Sequence, residues 1–198
     1  MLAEKICLIL GLALVGSVIA KSFLMSQRGT RAIVFGKTDR ADSLLIPFML
    51  GFIYLLCAQT FDLSAPAFLV ARFWGAELGG GGAPITAIIG IALCVAAVIG
   101  LIATLISFGT SFRVGIDEQH PSKLITAGVF SKSRNPIYVC FGFFLVGLVF
   151  VFASPLVMSA LILLLALFHR QVLKEEAFLR HEYGEAFEEY CQKVPRYL

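Results

Sequence analysis

Residues 131–168 read SKSRNPIYVCFGFFLVGLVFVFASPLVMSALILLLALF, a short polar segment followed by two apolar runs. The runs, Ile137–Ala153 and Leu156–Phe168, are separated only by Ser154 and Pro155. Such a short connection joins two antiparallel helices, and apolar helices of this kind lie in a bilayer. The stretch therefore predicts a membrane-embedded helical hairpin whose two polar ends emerge on the same side.

The rest of the chain also has the composition of a membrane protein. Hydrophobic residues make up 59% of the 198 residues and charged residues 15%, with a mean hydropathy of +0.89. Three further apolar runs approach the length that a bilayer requires: Ile6–Leu24, Leu44–Phe61 and Pro84–Phe108. We predict an all-α polytopic membrane protein with about five transmembrane helices in one membrane domain. Three helices would lie in residues 1–110, and the hairpin and an interfacial tail helix in residues 111–198.

Several functional classes have no support in the sequence. The five cysteines and three histidines are scattered and form no CxxC pair, which argues against structural zinc, a disulfide framework and a metal site. A net charge of +3, without a basic stripe interleaved with aromatic residues, argues against nucleic-acid binding. The glycine run Gly79–Gly82 lacks the GK[ST] ending of a phosphate-binding loop and is expected to be a flexible connector. The expected partners are therefore the lipid bilayer and a small-molecule or lipophilic ligand.

Lysines and arginines are distributed unevenly between the predicted loops. With five crossings, fourteen of the 16 basic residues fall on one side and only Lys5 and Arg72 on the other. Since basic residues are retained in the cytoplasm, the amino terminus is predicted outside and the tail inside. A cleaved signal peptide ending at Ala20 is the alternative, because an apolar core and a small residue precede that position. Cleavage would move the basic residues from Arg28 to Arg40 outside, against the charge bias.

Helix initiation alone can account for the polar segment before the hairpin. Asn135 is a favoured N-cap residue, and Pro136 suits the first helical position because its missing N–H is not needed there. Arg134 follows the positive-inside rule, and Tyr138 belongs at a headgroup interface. Taken by themselves, these residues are explained most simply by the start of a membrane helix.

The tail after Phe168 gives a reason to expect more than helix initiation. Apolar residues recur along it at helical spacing and would rest on the membrane surface or cover the inward loops: Val172, Leu179, Tyr183, Phe187 and Tyr190. Glu175 and Glu176 lie within two turns of the end of the apolar run, on the side where the polar segment before the hairpin also emerges. They form either a solvated helix face, with an i,i+4 pair between Glu176 and Arg180, or part of a shared polar site.

The carboxyl-terminal half contains several motifs in a defined order. They are LITAGVF at 124–130, SRNPIY at 133–138, KEE at 174–176, EYGEAFEEY at 182–190 and VPR at 194–196. In order and spacing, the segment from Ser111 to Arg196 resembles the isoprenylcysteine carboxyl methyltransferase and phospholipid methyltransferase family of integral membrane enzymes. The segment SFRVGID at 111–117 looks like bacterial members of the family, so a prokaryotic inner membrane is the expected location.

The resemblance implies an S-adenosylmethionine-dependent methyltransferase whose cofactor is held by the hairpin, the preceding loop and the tail. By position, it assigns to the cofactor pocket Lys123, Leu124, Ile125, Phe130, Asn135, Pro136, Tyr138 and Glu175. It assigns catalytic roles to Arg134, Tyr138, Glu175 and Glu176, and substrate contacts to Arg170 and Gln171. Arg134 would hold the cofactor's carboxylate or neutralise an anionic substrate.

Departures from the family pattern leave the methyl acceptor open. Prenylcysteine enzymes commonly have His where this chain has Asn135, Tyr where it has Phe130, and a substrate-binding arginine where it has Gln171. Arg170 is next to that last position but about 100° around the helix. The expected acceptors are a prenylcysteine-like carboxylate, a lipid amine or a thiol. A carboxylate is already ionised near neutral pH, whereas an amine or a thiol would benefit from a general base in the site.

Two other classes share some of these features. Membrane reductases of the sterol type have a similar RxxRHPxY segment and a closing glutamate-rich helix, but they use NADPH and are usually longer. A non-catalytic membrane protein would keep the motif for packing alone. Ligand binding distinguishes the three classes, because they would bind S-adenosylmethionine, NADPH or neither.

Overall fold

The computed structural model describes residues 2–27, 84–109, 124–153 and 155–198, together with residues 50, 51, 53, 54, 57, 60 and 61. Lys123, the glycine run, the segment 111–117 and most of the second apolar run lie outside the described residues. Within the described part of the chain, all regular secondary structure is helical.

The described residues form five α-helices and one short 3-10 helix. In chain order they are α1 (Leu2–Gln27), α2 (Pro84–Phe108), the 3-10 helix Gly128–Ser131, α3 (Pro136–Phe152), α4 (Pro155–Tyr183) and α5 (Glu185–Lys193). Three of them are long and apolar enough to cross a membrane, namely α1, α2 and the part of α4 from Val157 to Tyr183. α3 is a shorter apolar helix, and the described positions between 50 and 61 are also helical. The prediction of an all-α membrane protein is confirmed.

The hairpin forms as predicted, but its second helix is longer than its apolar run. α3 matches the predicted run to within one residue at each end. Ala153 then adopts a left-handed conformation with φ 44°, and its N–H donates to the carbonyl of Val149 at 2.9 Å, which ends the helix. α4 continues without a break past Phe168 to Tyr183. It therefore holds its polar residues rigidly beside the start of α3.

Two glycines allow α2 and α3 to pack at very short distance. A Cβ added at Gly90 would lie 2.6 Å from the carbonyl oxygen of Gly147, and one added at Gly147 would lie 2.7 Å from Cys94 Sγ. Small residues at a helix crossing let the backbones approach, and the resulting van der Waals contact stabilises membrane helices that gain little from the hydrophobic effect. This crossing fixes α3, and with it the start of the hairpin, against the rest of the bundle.

The apolar core lies between the four long helices. Its buried members include Leu14 of α1, Leu101 of α2, Leu148 of α3 and Leu164 of α4. Glu176, a buried charged residue of α4, lies beyond Phe168 and outside this cluster.

The apolar residues of the tail lie on two helices. The break is at Gly184, which has φ 52°, a backbone conformation that glycine adopts because it has no Cβ. Phe187, Tyr190 and Val194 are buried beyond it and pack against Leu124 of the loop before the hairpin. These residues of the stripe therefore cover the loop before the hairpin.

Candidate active site

The polar ends of the hairpin meet at one end of the bundle. The turn before α3 and the first turn of α3 supply residues 133–138, and α4 supplies residues 171–176. The contacts between them fall into two groups, each built on one of the neighbouring carboxylates Glu175 and Glu176.

Glu176 is a buried carboxylate that contacts three side chains. Its Oε1 accepts a hydrogen bond from Asn135 Nδ2 at 3.0 Å, and its Oε2 accepts two from Arg196, from Nε at 3.0 Å and from Nη2 at 2.8 Å. Arg134 Nη2 lies 3.6 Å from Oε1. The Glu176 side chain is only 3% exposed, so these partners replace the hydration that burial removes. We call these four residues the Glu176 cluster.

Main-chain groups bind the tail to the same turn. The carbonyl oxygen of Arg196 accepts hydrogen bonds from Asn135 Nδ2 at 3.1 Å and from Ser133 Oγ at 3.4 Å. The backbone N–H of Arg134 donates to the carbonyl of Pro195 at 3.0 Å. The turn before α3 and the segment after α5 thus form one hydrogen-bonded unit.

Asn135 occupies the N-cap position of α3 but its side chain does not cap the helix. No hydrogen bond joins that side chain to the first backbone N–H groups of α3. The amide donates to Glu176 and to Arg196 instead, so helix initiation does not explain the choice of asparagine here. Similarly, Arg180 forms its ion pair with Glu188, not with Glu176. Both observations favour a shared polar site over a solvated helix face.

Glu175 belongs to a second group, with Tyr138 and Gln171. Tyr138 Oη donates to Glu175 Oε1 at 2.6 Å, and Gln171 Nε2 donates to the same oxygen at 3.1 Å. The Tyr138 ring packs against Phe168, with 5.7 Å between ring centroids. All three polar side chains are half-buried, and Gln171 and Glu175 share a face because they are one helical turn apart. We call Tyr138, Gln171 and Glu175 the Glu175 cluster.

The two carboxylates have different surroundings although they are adjacent in sequence. Successive residues of an α-helix point about 100° apart, so Glu176 faces the turn and the tail while Glu175 faces the first turn of α3. The sequence does not distinguish the surroundings of the two carboxylates. The structure gives each carboxylate its own set of partners.

Arg134 lies within the Glu176 cluster and also reaches α5. Its Nη1 contacts the thiol of Cys191, and its Nη2 faces Glu176. Its Nε is buried and has no hydrogen-bond partner in the described structure. A buried N–H without an acceptor is unfavourable, and an oxygen of a bound ligand would satisfy it.

The loop before the hairpin packs an aromatic residue against α2. Phe130 is buried and packs edge-on against Phe108 of α2, with 4.6 Å between ring centroids and 77° between ring planes. Its carbonyl accepts a hydrogen bond from Tyr190 Oη at 2.6 Å. Burial raises the pKa of Tyr190 to about 12. Leu124 and Ile125 of the same loop are half-buried.

The remaining predicted site residues are Pro136, Arg170 and Lys123. Pro136 is buried as the first residue of α3, and Arg170 is exposed on α4 beside Gln171. Lys123 lies outside the described residues. Among the described residues, no group of three or more histidine, cysteine, aspartate or glutamate side chains could hold a metal ion.

Four residues of the site were not predicted from the sequence: Ser133, Tyr190, Cys191 and Arg196. The VPR motif contains Arg196, but nothing in the motif indicates that its guanidinium binds Glu176. Tyr190 was assigned only to the apolar stripe, since its hydroxyl contact lies 60 residues away in sequence.

Comparison with known proteins gives this architecture a family. Residues 85–186, more than half of the 198-residue chain, match the family model for phospholipid methyltransferases. Two curated rice proteins, from Oryza sativa subsp. indica and subsp. japonica, are each 39% identical to the chain over 89 residues. Both are described as probable protein-S-isoprenylcysteine O-methyltransferase. No solved structure matches the chain.

The rice alignments cover 44% of this chain and 46% of each rice protein, so the chain spans about half the length of the curated relatives that it matches. The family match includes nearly all of α2, the whole hairpin, both carboxylates and the start of α5. Because it extends over more than half of the sequence, the chain belongs to the phospholipid methyltransferase family.

Proposed function

We propose that the protein is an S-adenosylmethionine-dependent methyltransferase that acts at the cytoplasmic membrane face on a lipophilic or small acceptor. The observation that supports this most directly is the pairing of Tyr138 with Glu175 and of Asn135 with Glu176. Four residues to which the family resemblance gives roles thereby lie together at one end of the hairpin. Family membership and the descriptions of the rice relatives support methyl transfer.

The groups in the site suit the charges of the proposed cofactor, which when bound supplies an electrophilic methyl group on a sulfonium. Oxygens of Glu175 and Tyr138 would stabilise a nearby positive charge. The unpartnered Nε of Arg134 would donate to a carboxylate. Phe130 and Leu124 would offer apolar contact to an aromatic base. The donor and acceptor chemistry of these residues therefore fits S-adenosylmethionine.

The main task of the protein in a methyl transfer is alignment, since the reaction is an in-line displacement at carbon. The Tyr138 hydroxyl is held in place by Glu175, and its ring by Phe168. For an amine or a thiol acceptor, Glu175 would take up the released proton directly or through Tyr138. A carboxylate acceptor would need no general base.

The acceptor class that we propose is a prenylcysteine-like carboxylate, a lipid amine or a thiol. Gln171 of the Glu175 cluster, with Arg170 beside it, would contact this acceptor. The site lies at the end of apolar helices, so a lipophilic molecule would enter between helices while a water-soluble cofactor enters from the cytosol. A lipophilic acceptor and a water-soluble cofactor could therefore meet in the same site.

Calorimetric titration of the detergent-purified protein with S-adenosylhomocysteine, and separately with NADPH, tests the proposal. We expect S-adenosylhomocysteine to bind and NADPH not to bind. Glu175→Gln should weaken binding about tenfold, the effect of losing one charge-assisted contact, with little change in thermal stability. Glu182→Gln is a matched control, because Glu182 is exposed on the same helix. Binding of NADPH alone would indicate a reductase, and binding of neither ligand by folded protein would indicate that the motif serves packing.

A further inference from the structure

We propose that Arg196 is a positioning residue of the cofactor site: its guanidinium holds Glu176, and Glu176 in turn holds Asn135 in the turn before α3. The inference rests on the proposed function, because it takes that turn as part of the cofactor site. Arg196 lies in the segment after α5, outside the part of the chain that matches the family model.

The hydrogen bonds on Glu176 are divided between its two carboxylate oxygens. Both bonds from Arg196 go to Oε2, at 3.0 and 2.8 Å, so the guanidinium fixes the rotation of the carboxylate. Oε1 is thereby presented to Asn135 Nδ2 at 3.0 Å. Charge-assisted bonds of this kind are short and directional, and they therefore set the orientation of the group they bind.

The first turn of α3 links Asn135 to the Glu175 cluster. The carbonyl of Asn135 accepts the first backbone hydrogen bond of α3, from Val139 N at 3.2 Å. Tyr138 lies in that same turn and donates to Glu175. A displacement of Asn135 would therefore shift the Tyr138 hydroxyl, although Arg196 itself contacts neither Tyr138 nor Glu175 in the described structure.

The exposed fractions of the Arg196 and Glu176 side chains favour a positioning role for Arg196 over direct contact with the ligand. The Arg196 side chain is 37% exposed while that of Glu176 is 3% exposed, so the arginine closes over the carboxylate from the solvent side. The Arg196 carbonyl also accepts hydrogen bonds from Asn135 and Ser133. Arg196 therefore holds the turn before α3 through its backbone as well as through its side chain. Arg196 is therefore placed to orient the turn.

The chain provides a matched control for the variant. Arg180 and Glu188 form an ion pair in the same tail region, but both side chains are about half exposed, at 50% and 48%. Such exposed pairs contribute little to stability. Arg180→Gln therefore removes the same charge from the same region without touching the turn before α3.

The test is titration of full-length Arg196→Gln, Arg196→Lys and Arg180→Gln with S-adenosylhomocysteine, with thermal unfolding recorded for each. We expect Arg196→Gln to raise Kd about tenfold, Arg196→Lys to raise it less because the charge is kept, and Arg180→Gln to leave it unchanged. In a Glu176→Gln background, Arg196→Gln should raise Kd by less than twofold further, because the two residues act in one chain of contacts. Titrations are run at a temperature where all the variants are folded.

Specific outcomes would overturn the inference. A lower unfolding temperature with unchanged Kd in folded Arg196→Gln would mean a structural role only. An equally large loss in the Glu176→Gln background, together with unchanged binding of 5′-methylthioadenosine, would mean direct contact with the amino-acid part of the ligand. If Arg196→Gln does not fold, Arg196→Lys is used in its place. A Kd of Arg196→Lys for S-adenosylhomocysteine equal to that of the unsubstituted protein would contradict the positioning role. Failure of the unsubstituted protein to bind S-adenosylhomocysteine would instead overturn the proposed function.

Discussion

Glu175 and Glu176 show at the scale of single residues how neighbours in sequence take different roles. Glu176 is buried against two guanidinium groups, whereas Glu175 is half-buried and accepts hydrogen bonds from Tyr138 and Gln171. Removing the charge of Glu176 leaves buried positive charge without its partner, whereas water has access to the half-buried side chain of Glu175. The two residues should therefore respond differently to the same substitution.

We predict that Glu176→Gln lowers the free energy of unfolding by roughly 3 kcal/mol, while Glu175→Gln lowers it by less than about 1 kcal/mol. Thermal unfolding of the detergent-purified variants, followed by circular dichroism, measures the difference. Equal shifts in the unfolding temperature would contradict the assignment of Glu176 to a structural cluster and Glu175 to a ligand-binding one.

Tyr190 predicts an alkaline limit to stability. Burial raises the pKa of its hydroxyl to about 12, above the value near 10 of an unfolded chain, and the protonated hydroxyl donates to the Phe130 carbonyl. Its contribution is therefore fully present below pH 10 and is lost as the pH rises through about 12. We expect the stability difference between the unsubstituted protein and Tyr190→Phe to shrink between these pH values. A pH-independent difference, measured by thermal unfolding, would show that the hydroxyl is not held in this way.

At the scale of helices, the crossing of α2 and α3 fixes the start of the hairpin. The crossing depends on the absence of side chains at Gly90 and Gly147. α4 then contributes through its length, because it remains helical beyond its apolar run and brings both carboxylates to the first turn of α3. Two rigid helices thus position residues that lie far apart in sequence.

Gly147→Ala is predicted to destabilise the protein by about 1–3 kcal/mol, the cost of an overpacked core. The new Cβ would lie 2.7 Å from both Cys94 Sγ and the Gly90 carbonyl oxygen. Gly142→Ala on the same helix is the control, since its Cβ would meet only Leu165 Cδ2 at 3.8 Å. Alanine at that position should be neutral or slightly stabilising because it favours the helix. Similar unfolding temperatures for the two variants would argue against the close crossing.

At the scale of the whole molecule, the distribution of basic residues predicts the orientation in the membrane. With five crossings, fourteen of the 16 lysines and arginines would fall on the side of the proposed active site, and this bias predicts that side in the cytoplasm. The same side would receive a water-soluble cofactor, so orientation and proposed activity depend on each other.

Reporter fusions test the orientation. We expect green fluorescent protein fused after Leu198 to be fluorescent and alkaline phosphatase at the same position to be inactive, because the first reporter requires the cytoplasm and the second requires the outside. An amino-terminal phosphatase fusion should be active. The opposite pattern would place the site outside and would remove its access to a cytosolic cofactor.

Much of the architecture follows from the sequence alone. The limits of α2 and α3, the hairpin and the confinement of polar residues to one end were all predicted, because hydrophobic runs, prolines and short connections act over a few neighbouring residues. The grouping of the SRNPIY and KEE segments was also expected, since a hairpin returns the chain to the side from which it started.

Which side chains bind one another depends on packing. Asn135 and Glu176 are 41 residues apart, Tyr138 and Glu175 37, and Ser133 and Arg196 63. The partners of each carboxylate depend on the rotation of α4, on the turn at Gly184 and on the return of the tail to the start of α3. Adjacent residues of a helix point about 100° apart, and the sequence pattern of α4 does not define the rotation of the helix this closely. The separate partners of Glu175 and Glu176, and the contact of Arg196 with Glu176, are therefore decided by how the helices pack.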